Sequence, residues 1–286
     1  MRENIFTGQL PSGEVPTVML NRHEGTIRQV DTLAITMVAV YLAQMIHGWR
    51  TAWGDNIHRA LDFIQSRAYL SKIEDFPAFH FNAYYPPDWE DTSFAIFLLA
   101  RNGRLDTGRL ANLRDLLHLN TTEDGTGIWL KDSYSTGNAQ SNHWDPTSSI
   151  NILRLHYLLE TDPRSRRATE KFVTRHLNLG AFDSATLYYT PPIAAFFASR
   201  LLTDFPEVTG EIHYALSSFV ADVREAVVRG YLTATLFERA LLGYPDPSDD
   251  DGLIFHHGKR TVIWYGSPVL HQLACMASYT APLSTN

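Results

Sequence analysis

The sequence has a single cysteine among its 286 residues, Cys275. An intrachain disulfide and any zinc site with several cysteine ligands are therefore excluded. Clustered positive charge is also missing, because the 24 lysines and arginines are scattered and the net charge is −7. Nucleic-acid binding normally demands a basic face, so we expect no nucleic-acid partner.

The longest apolar stretch, residues 33–46, is too short to span a bilayer, and residues 1–28 lack the apolar core of a signal peptide. We expect a cytoplasmic protein without a membrane span.

Apolar residues make up 44% of the chain and charged residues 19%, which is enough to build a sizeable core. Their spacing of three and four residues is typical of helices, and alternating runs are few, so strands should be minor. Six apolar segments begin with Asp, Thr or Ser, several with proline in the first turn, which is the pattern of capped helix starts. These predicted helices are 32–47, 92–100, 145–159, 190–202, 233–242 and 267–278.

Helices that are apolar on every side are buried on every side. Between them lie four segments with one charged face, which predict helices with one side in water: 56–67, 107–117, 164–176 and 211–229. The alternation predicts an all-α (α/α)6-type toroid, with one outer helix replaced by a loop at 243–266. We expect an irregular N-terminal segment over 1–26 and a single toroid domain over 27–286. An irregular helical bundle is the alternative.

Three carboxylates stand together at the entrance of the second apolar helix: Asp88, Glu90 and Asp91. Like charges this close cannot all ionise at low cost, so at least one pKa should be raised. A raised pKa keeps a carboxylic acid able to donate a proton near neutral pH. We predict these three as the catalytic residues. The alternative is that one aspartate caps the helix and the other carboxylates are solvated.

Loops that enter the inner helices of a toroid meet at one end, so polar and aromatic residues before those helices should converge there. The group around His257 is the one compact basic cluster near such a loop, suited to a phosphate or carboxylate, or else to a surface turn. The alternative role for Asp145 is to cap the predicted helix that begins there.

His271 and Cys275 are four residues apart, as two metal ligands on one helical face would be, but they lie in an apolar run. We therefore expect them to pack in the core, and we expect no metal and no cofactor. The predicted substrate-binding residues are Tyr84, Tyr85, Trp89, His143, Trp144, Asp145, Tyr189, His257, Trp264 and Tyr265.

Residues 87–93, Pro-Asp-Trp-Glu-Asp-Thr-Ser, resemble the Asp-x-Asp-Asp-Thr-Ala motif of class II terpene cyclases, the squalene–hopene cyclase group. Residues 123–129, Glu-Asp-Gly-Thr-Gly-Ile-Trp, look like a degenerate form of that family's Gly-Trp repeat. The resemblance implies α/α toroid architecture and a proton-initiated reaction. The middle acid of the motif, Glu90 here, would protonate an alkene or epoxide, while Asp88 and Asp91 hold and tune it. Aromatic faces would stabilise the carbocation.

Two departures from the family matter. Glutamate replaces the acidic aspartate, which moves the proton by about one methylene, and the chain has room for one helical domain where the family usually has two. The leading hypothesis is a terpene-cyclase-like enzyme of terpenoid biosynthesis, an isomerase or lyase acting on a small apolar or isoprenoid substrate. A glycosidase or lyase pairing Asp88 or Glu90 with Asp145 is the second hypothesis. A non-catalytic binding protein is the third.

Overall fold

The computed structural model describes residues 5–6, 8–21, 23–70, 77–79, 87–105, 107–130, 144–186, 189–244, 256–257 and 263–280. Within these ranges the chain forms eleven helices: α1 (Leu33–Met45), α2 (Trp49–Ser66), α3 (Trp89–Arg101), α4 (Thr107–Leu119), α5 (Pro146–Leu158), α6 (Pro163–His176), α7 (Leu179–Ala185), α8 (Pro191–Asp204), α9 (Gly210–Val228), α10 (Leu236–Leu241) and α11 (Pro268–Thr280).

The strands are short and few, as the sequence predicts. They are β1 (Thr17–Asn21), β2 (Thr26–Val30), β3 (Tyr69–Leu70), β4 (Pro77–Ala78), β5 (Thr121–Thr122), β6 (Gly125–Thr126), β7 (His256–His257) and β8 (Ile263–Gly266). All ten predicted helices are present, and α7 is the one that sequence periodicity missed. None of the helices in the described ranges has the length and hydropathy needed to cross a membrane.

The chain divides into two compact units. The first comprises Met1–Ser66, Tyr188–Ile193 and Val223–Asn286, and the second comprises Arg67–Leu187 and Ala194–Asp222. The prediction of one domain over 27–286 stays a prediction.

In the first unit, α1 packs against α2 and α11, and α10 packs against α11. Ten residues of α1 are buried, on every side of the helix, as its apolar sequence predicts. A four-stranded antiparallel sheet, in the order β2-β1-β8-β7, joins segments from the two ends of the chain.

This sheet corrects two sequence predictions. Residues 1–26 are not wholly irregular, since β1 lies within them, and the predicted loop 243–266 contains β7 and β8. The pairing of β1 with β8 joins residues about 240 positions apart, such as Val18 and Gly266. A short strand whose partner lies so far along the chain leaves no local periodic signal.

In the second unit, α3 packs along α5, and α5 packs against α6. Every residue of α5 from Pro146 to Tyr157 is buried, whereas α6 buries one face at Ser165, Thr169, Phe172 and Val173. This contrast is the predicted alternation of buried and one-sided helices. The small β5–β6 hairpin lies against α6.

Candidate functional site

Helix α3 begins at Trp89, three residues before the predicted start at Thr92. The carboxylate of Asp88, with extended backbone, accepts a hydrogen bond from the Asp91 N–H at 2.7 Å and so caps the helix. The predicted helix start at Thr92 is therefore too late, and of the two aspartates expected as possible caps, Asp88 supplies the capping oxygen. As a result, Glu90 and Asp91 both lie in the first turn of α3.

Asp88 and Asp91 are both buried, with 7% and 8% of their surfaces exposed. Burial raises the pKa of Asp88 well above its usual value, and the nearby charges of Asp91 and Glu90 raise it further. Burial also raises the pKa of Asp91 to about 6, while a hydrogen bond with the Asp88 carboxyl opposes that rise. Asp88 therefore holds its proton more strongly than an ordinary aspartate does. The raised pKa expected from the clustering is present, and desolvation is its main cause.

Glu90 extends from α3 to α5 and is the least buried of the three acids. Its Oε2 accepts a hydrogen bond from Ser148 Oγ at 2.5 Å, and its Oε1 accepts one from Asn151 Nδ2 at 3.1 Å. Both partners lie on α5, three residues apart and therefore on one face of the helix. The contact fixes both carboxylate oxygens of Glu90 from a second helix.

Sequence reasoning missed Ser148 and Asn151. The signal was available in the sequence, because α5 is predicted to be buried on every side, and polar residues inside such a helix need hydrogen-bond partners. Near them, four further side-chain atoms are buried and have no hydrogen-bond partner among the described residues: Ser93 Oγ, Thr147 Oγ1, Ser149 Oγ and Asn151 Oδ1.

The segment Gly125–Trp129 lies against the start of α3. The Trp89 N–H donates to Ile128 O at 2.7 Å, and Asp88 forms an isolated antiparallel bridge with Trp129. Trp89 is fully buried, and its backbone completes this bridge. Its ring is buried in the protein core, and its predicted role in substrate binding stays a prediction.

Asp145 and Trp144 precede α5. Asp145 is fully buried: its Oδ1 accepts from the N–H groups of Thr147 and Ser148, and its Oδ2 accepts from Thr186 Oγ1 at 3.0 Å. Of the two roles left open for Asp145, the helix cap is the one these contacts satisfy. Trp144 is half-buried, and its Nε1 donates to Gly125 O at 3.3 Å.

Farther along the α3–α5 contact lies Arg154, which is completely buried. Its guanidinium carbon is 5.3 to 5.8 Å from the ring centres of Phe94, Phe97 and Phe197. Its Nη1 is 3.7 Å from Asp204 Oδ2. These three aromatic faces already contact a cation of the protein itself.

The remaining predicted residues fall into two groups. Tyr84, Tyr85 and His143 lie outside the described residues. The others lie in the first unit: Tyr189, His257, Trp264 and Tyr265. Of these, Tyr189 and Tyr265 are half-buried.

Strand pairing in the first unit sets His257 opposite Trp264, and Tyr265 opposite His256. The sequence placed these residues at the same mouth as Glu90, and that convergence stays a prediction.

Among the described residues, no group of three or more His, Cys, Asp or Glu side chains is arranged to hold a metal ion. The pair considered from sequence, His271 and Cys275, places Nε2 and Sγ 3.7 Å apart on one face of α11.

No protein-family model and no curated protein sequence matches the chain. Among solved structures, a protein from Actinoplanes has a TM-score of 0.61 at 15% identity, with 96% of each chain covered. The ent-copalyl diphosphate synthase from Streptomyces platensis has a TM-score of 0.51 at 15% identity. That match covers 86% of this chain and 50% of the synthase, so the chain corresponds to about half the length of that enzyme. A type II terpene cyclase from Scytonema matches with a TM-score of 0.40 at 12% identity, over 97% of this chain and 93% of the cyclase.

At these identities the likeness concerns the fold. It confirms the predicted fold class, an all-α chain of the α/α toroid type, and it confirms the resemblance to class II terpene cyclases at that level.

Proposed function

We propose that the chain is a terpene-cyclase-like enzyme in which Glu90 protonates an alkene or epoxide of a small isoprenoid or other apolar substrate. The observation that carries this proposal is the contact of Glu90 with Ser148 and Asn151, next to two buried acids with raised pKa values. In the first step, the Glu90 carboxyl gives its proton to the substrate, leaving a carboxylate and a substrate cation. Water takes a proton from a carbon of the cyclised or isomerised cation, which ends the reaction, and a proton from solvent restores the Glu90 carboxyl.

The surroundings of Glu90 suit both of its protonation states. As a carboxylate it accepts from Ser148 and from the Asn151 amide nitrogen. Rotation of the Asn151 amide would instead present Oδ1, which has no partner among the described residues, as an acceptor for the carboxylic acid proton. Asp88 and Asp91 tune the acid by charge, because the three carboxyl groups repel one another within one helical turn.

The other two hypotheses receive less support. A glycosidase needs a second carboxylate free to activate water, and the candidate, Asp145, is fully buried and accepts three hydrogen bonds. A binding protein without catalysis has no need of a buried acid with a raised pKa, such as Asp88.

The test is turnover of prenyl diphosphates, free polyprenes and their terminal epoxides, with extracts analysed by gas chromatography and mass spectrometry. Glu90→Gln keeps the size of the side chain and removes the acid, so it should abolish any cyclised or isomerised product. Glu123→Gln, an exposed carboxylate in the same unit, is the matched control and should retain activity.

Thermal melts of both variants must match the wild type for the comparison to be valid. Product formation by Glu90→Gln equal to that of the wild type would eliminate Glu90 as the proton donor. Absence of turnover by the wild type on all three substrate classes would argue for the binding role instead.

A further inference from the structure

The segment Gly125–Trp129 contacts the starts of two helices at once. At its end, Ile128 O accepts the Trp89 N–H at the start of α3, and Trp129 bridges Asp88. At its beginning, Gly125 O accepts the indole N–H of Trp144, one residue before the cap of α5. Helix α3 carries Glu90, and α5 carries its two partners. Five consecutive residues therefore connect both halves of the proposed acid site.

This segment is held in place from its other side by a buried hydroxyl network. Thr126 Oγ1 lies 3.1 Å from His156 Nε2 and 3.0 Å from Thr169 Oγ1. His156 Nδ1 is in turn 2.7 Å from Thr161 Oγ1, so both ring nitrogens have partners. Burial, and to a lesser degree the charge of Arg166, lower the pKa of His156 to about 3. The imidazole is therefore neutral at physiological pH, and the network is a fixed anchor.

A second contact, at Gly125, brings the backbone of the segment close to α6. The φ of Gly125, +102°, lies in the region that side chains rarely adopt, and an added Cβ would lie 3.2 Å from Phe172 Cβ. The backbone at Gly125 thus lies in close contact with α6, while Ile128 and Trp129 contact α3. Because Gly125 and Thr126 are held against α6 and the hydroxyl network, the positions that Ile128 and Trp129 can take are restricted as well.

We propose that Gly125–Trp129 sets the spacing between the starts of α3 and α5, with Trp144 and Thr126 as positioning residues for the Glu90 carboxylate. The Ser148–Glu90 contact is only 2.5 Å long, so a displacement of a few tenths of an ångström would change its strength. Proton transfer is sensitive to such displacements. The catalytic meaning of this inference rests on the proposed function, whereas the positioning itself does not.

The same placement closes the start of α3 against water. Asp88 bridges Trp129, and Asp88 and Asp91 are buried. If the segment moves, water reaches these two carboxyl groups. Their titration is therefore a reporter of the position of the segment and needs no substrate.

The test compares three variants by carbon-13 NMR titration of labelled aspartate carboxyl groups, with thermal melts recorded in parallel. Trp144→Phe removes one hydrogen bond to Gly125 and keeps an aromatic ring. Thr126→Val removes the hydroxyl anchor from the segment itself. Ser165→Ala is the matched control, because it removes a buried hydroxyl from α6 that contacts His118 and no residue of the segment.

We expect Trp144→Phe and Thr126→Val to lower the pKa of Asp91 by about half a unit or more, and Ser165→Ala to leave it unchanged at a comparable loss of melting temperature. Equal changes in Thr126→Val and Ser165→Ala would mean that these hydroxyls act through general stability, and the inference would be overturned. An unchanged titration in Trp144→Phe would overturn it as well.

Once a substrate is known, the first two variants should lower kcat more than they raise KM. Failure of every substrate would count against the proposed function and leave the result of the titration standing.

Discussion

Asp91 is buried in the first turn of α3, and removing its charge should stabilise the protein at neutral pH. The pKa of Asp91 is about 6 in the folded protein, compared with the ordinary aspartate value of 3.8, which applies to the unfolded chain. A folded-state pKa above the unfolded one favours folding only while the group is protonated. The contribution is therefore complete below pH 3.8 and disappears as the pH rises to about 6. The two pKa values differ by about two units, and each unit corresponds to about 1.4 kcal/mol.

The ionised Asp91 thus costs up to roughly 3 kcal/mol of the free energy of unfolding at pH 7 and above. Asp91→Asn keeps the shape of the side chain and removes the charge that Asp88 also experiences. We expect this variant to be more stable than the wild type by about 2–3 kcal/mol at pH 8 and by much less at pH 4.

Urea denaturation of both proteins at pH 4, 5, 6, 7 and 8, followed by far-ultraviolet circular dichroism, measures this difference. Asp124→Asn, an exposed aspartate on the β5–β6 turn, is the control and should differ from the wild type by less than about 0.5 kcal/mol. Lower stability of Asp91→Asn at pH 8, or a constant difference at all five pH values, would refute the assignment of the cost to a buried charge.

Three further changes test the interior of the second unit. Because the pKa of His156 is lowered from 6.5 to about 3, the wild type should lose about 2 kcal/mol between pH 6.5 and pH 5 through this residue, and His156→Gln should lack that part of the slope in urea denaturation. Asp204→Asn removes a carboxylate that faces the buried Arg154 guanidinium as well as Arg101 and Arg200, and it should cost about 3–5 kcal/mol. Arg154→Met, which fills the same aromatic surroundings, should cost less, and equal losses would contradict the ion-pair explanation. Gly125→Ala places a Cβ against Phe172 and should lower the free energy of unfolding by roughly 1–3 kcal/mol, and a neutral result would show that this backbone contact relaxes freely.

The sequence was most informative where a single residue decides the local structure. Asp145 followed by Pro146 predicts the start of α5, and the cap bonds to Thr147 and Ser148 are present. Thr235 likewise caps α10 and completes a capping box with Glu238. In both cases the information lies within four residues of the helix end.

Prediction failed where partners lie far apart or where two capping residues compete. Both Asp88 and Asp91 are good caps, and the earlier start is accompanied by tertiary contacts of Trp89 with Ile128 and of Asp88 with Trp129. The acids of the site were visible because three carboxylates in four residues are unusual. The partners of Glu90 were not, since Ser148 and Asn151 are 58 and 61 residues away along the chain.

Helix α5 contributes both to the buried packing of the second unit and to the proposed acid site. It carries the two partners of Glu90, the buried Arg154 ion pair and the anchoring His156, and its residues from Pro146 to Tyr157 are all buried. A substitution that retunes the acid through this helix therefore also alters the packing of the unit. In the proposed enzyme, substitutions in the loops that precede the inner helices should therefore change substrate preference with a smaller loss of stability than substitutions in α5. Directed evolution of the proposed activity should accordingly leave α5 almost unchanged.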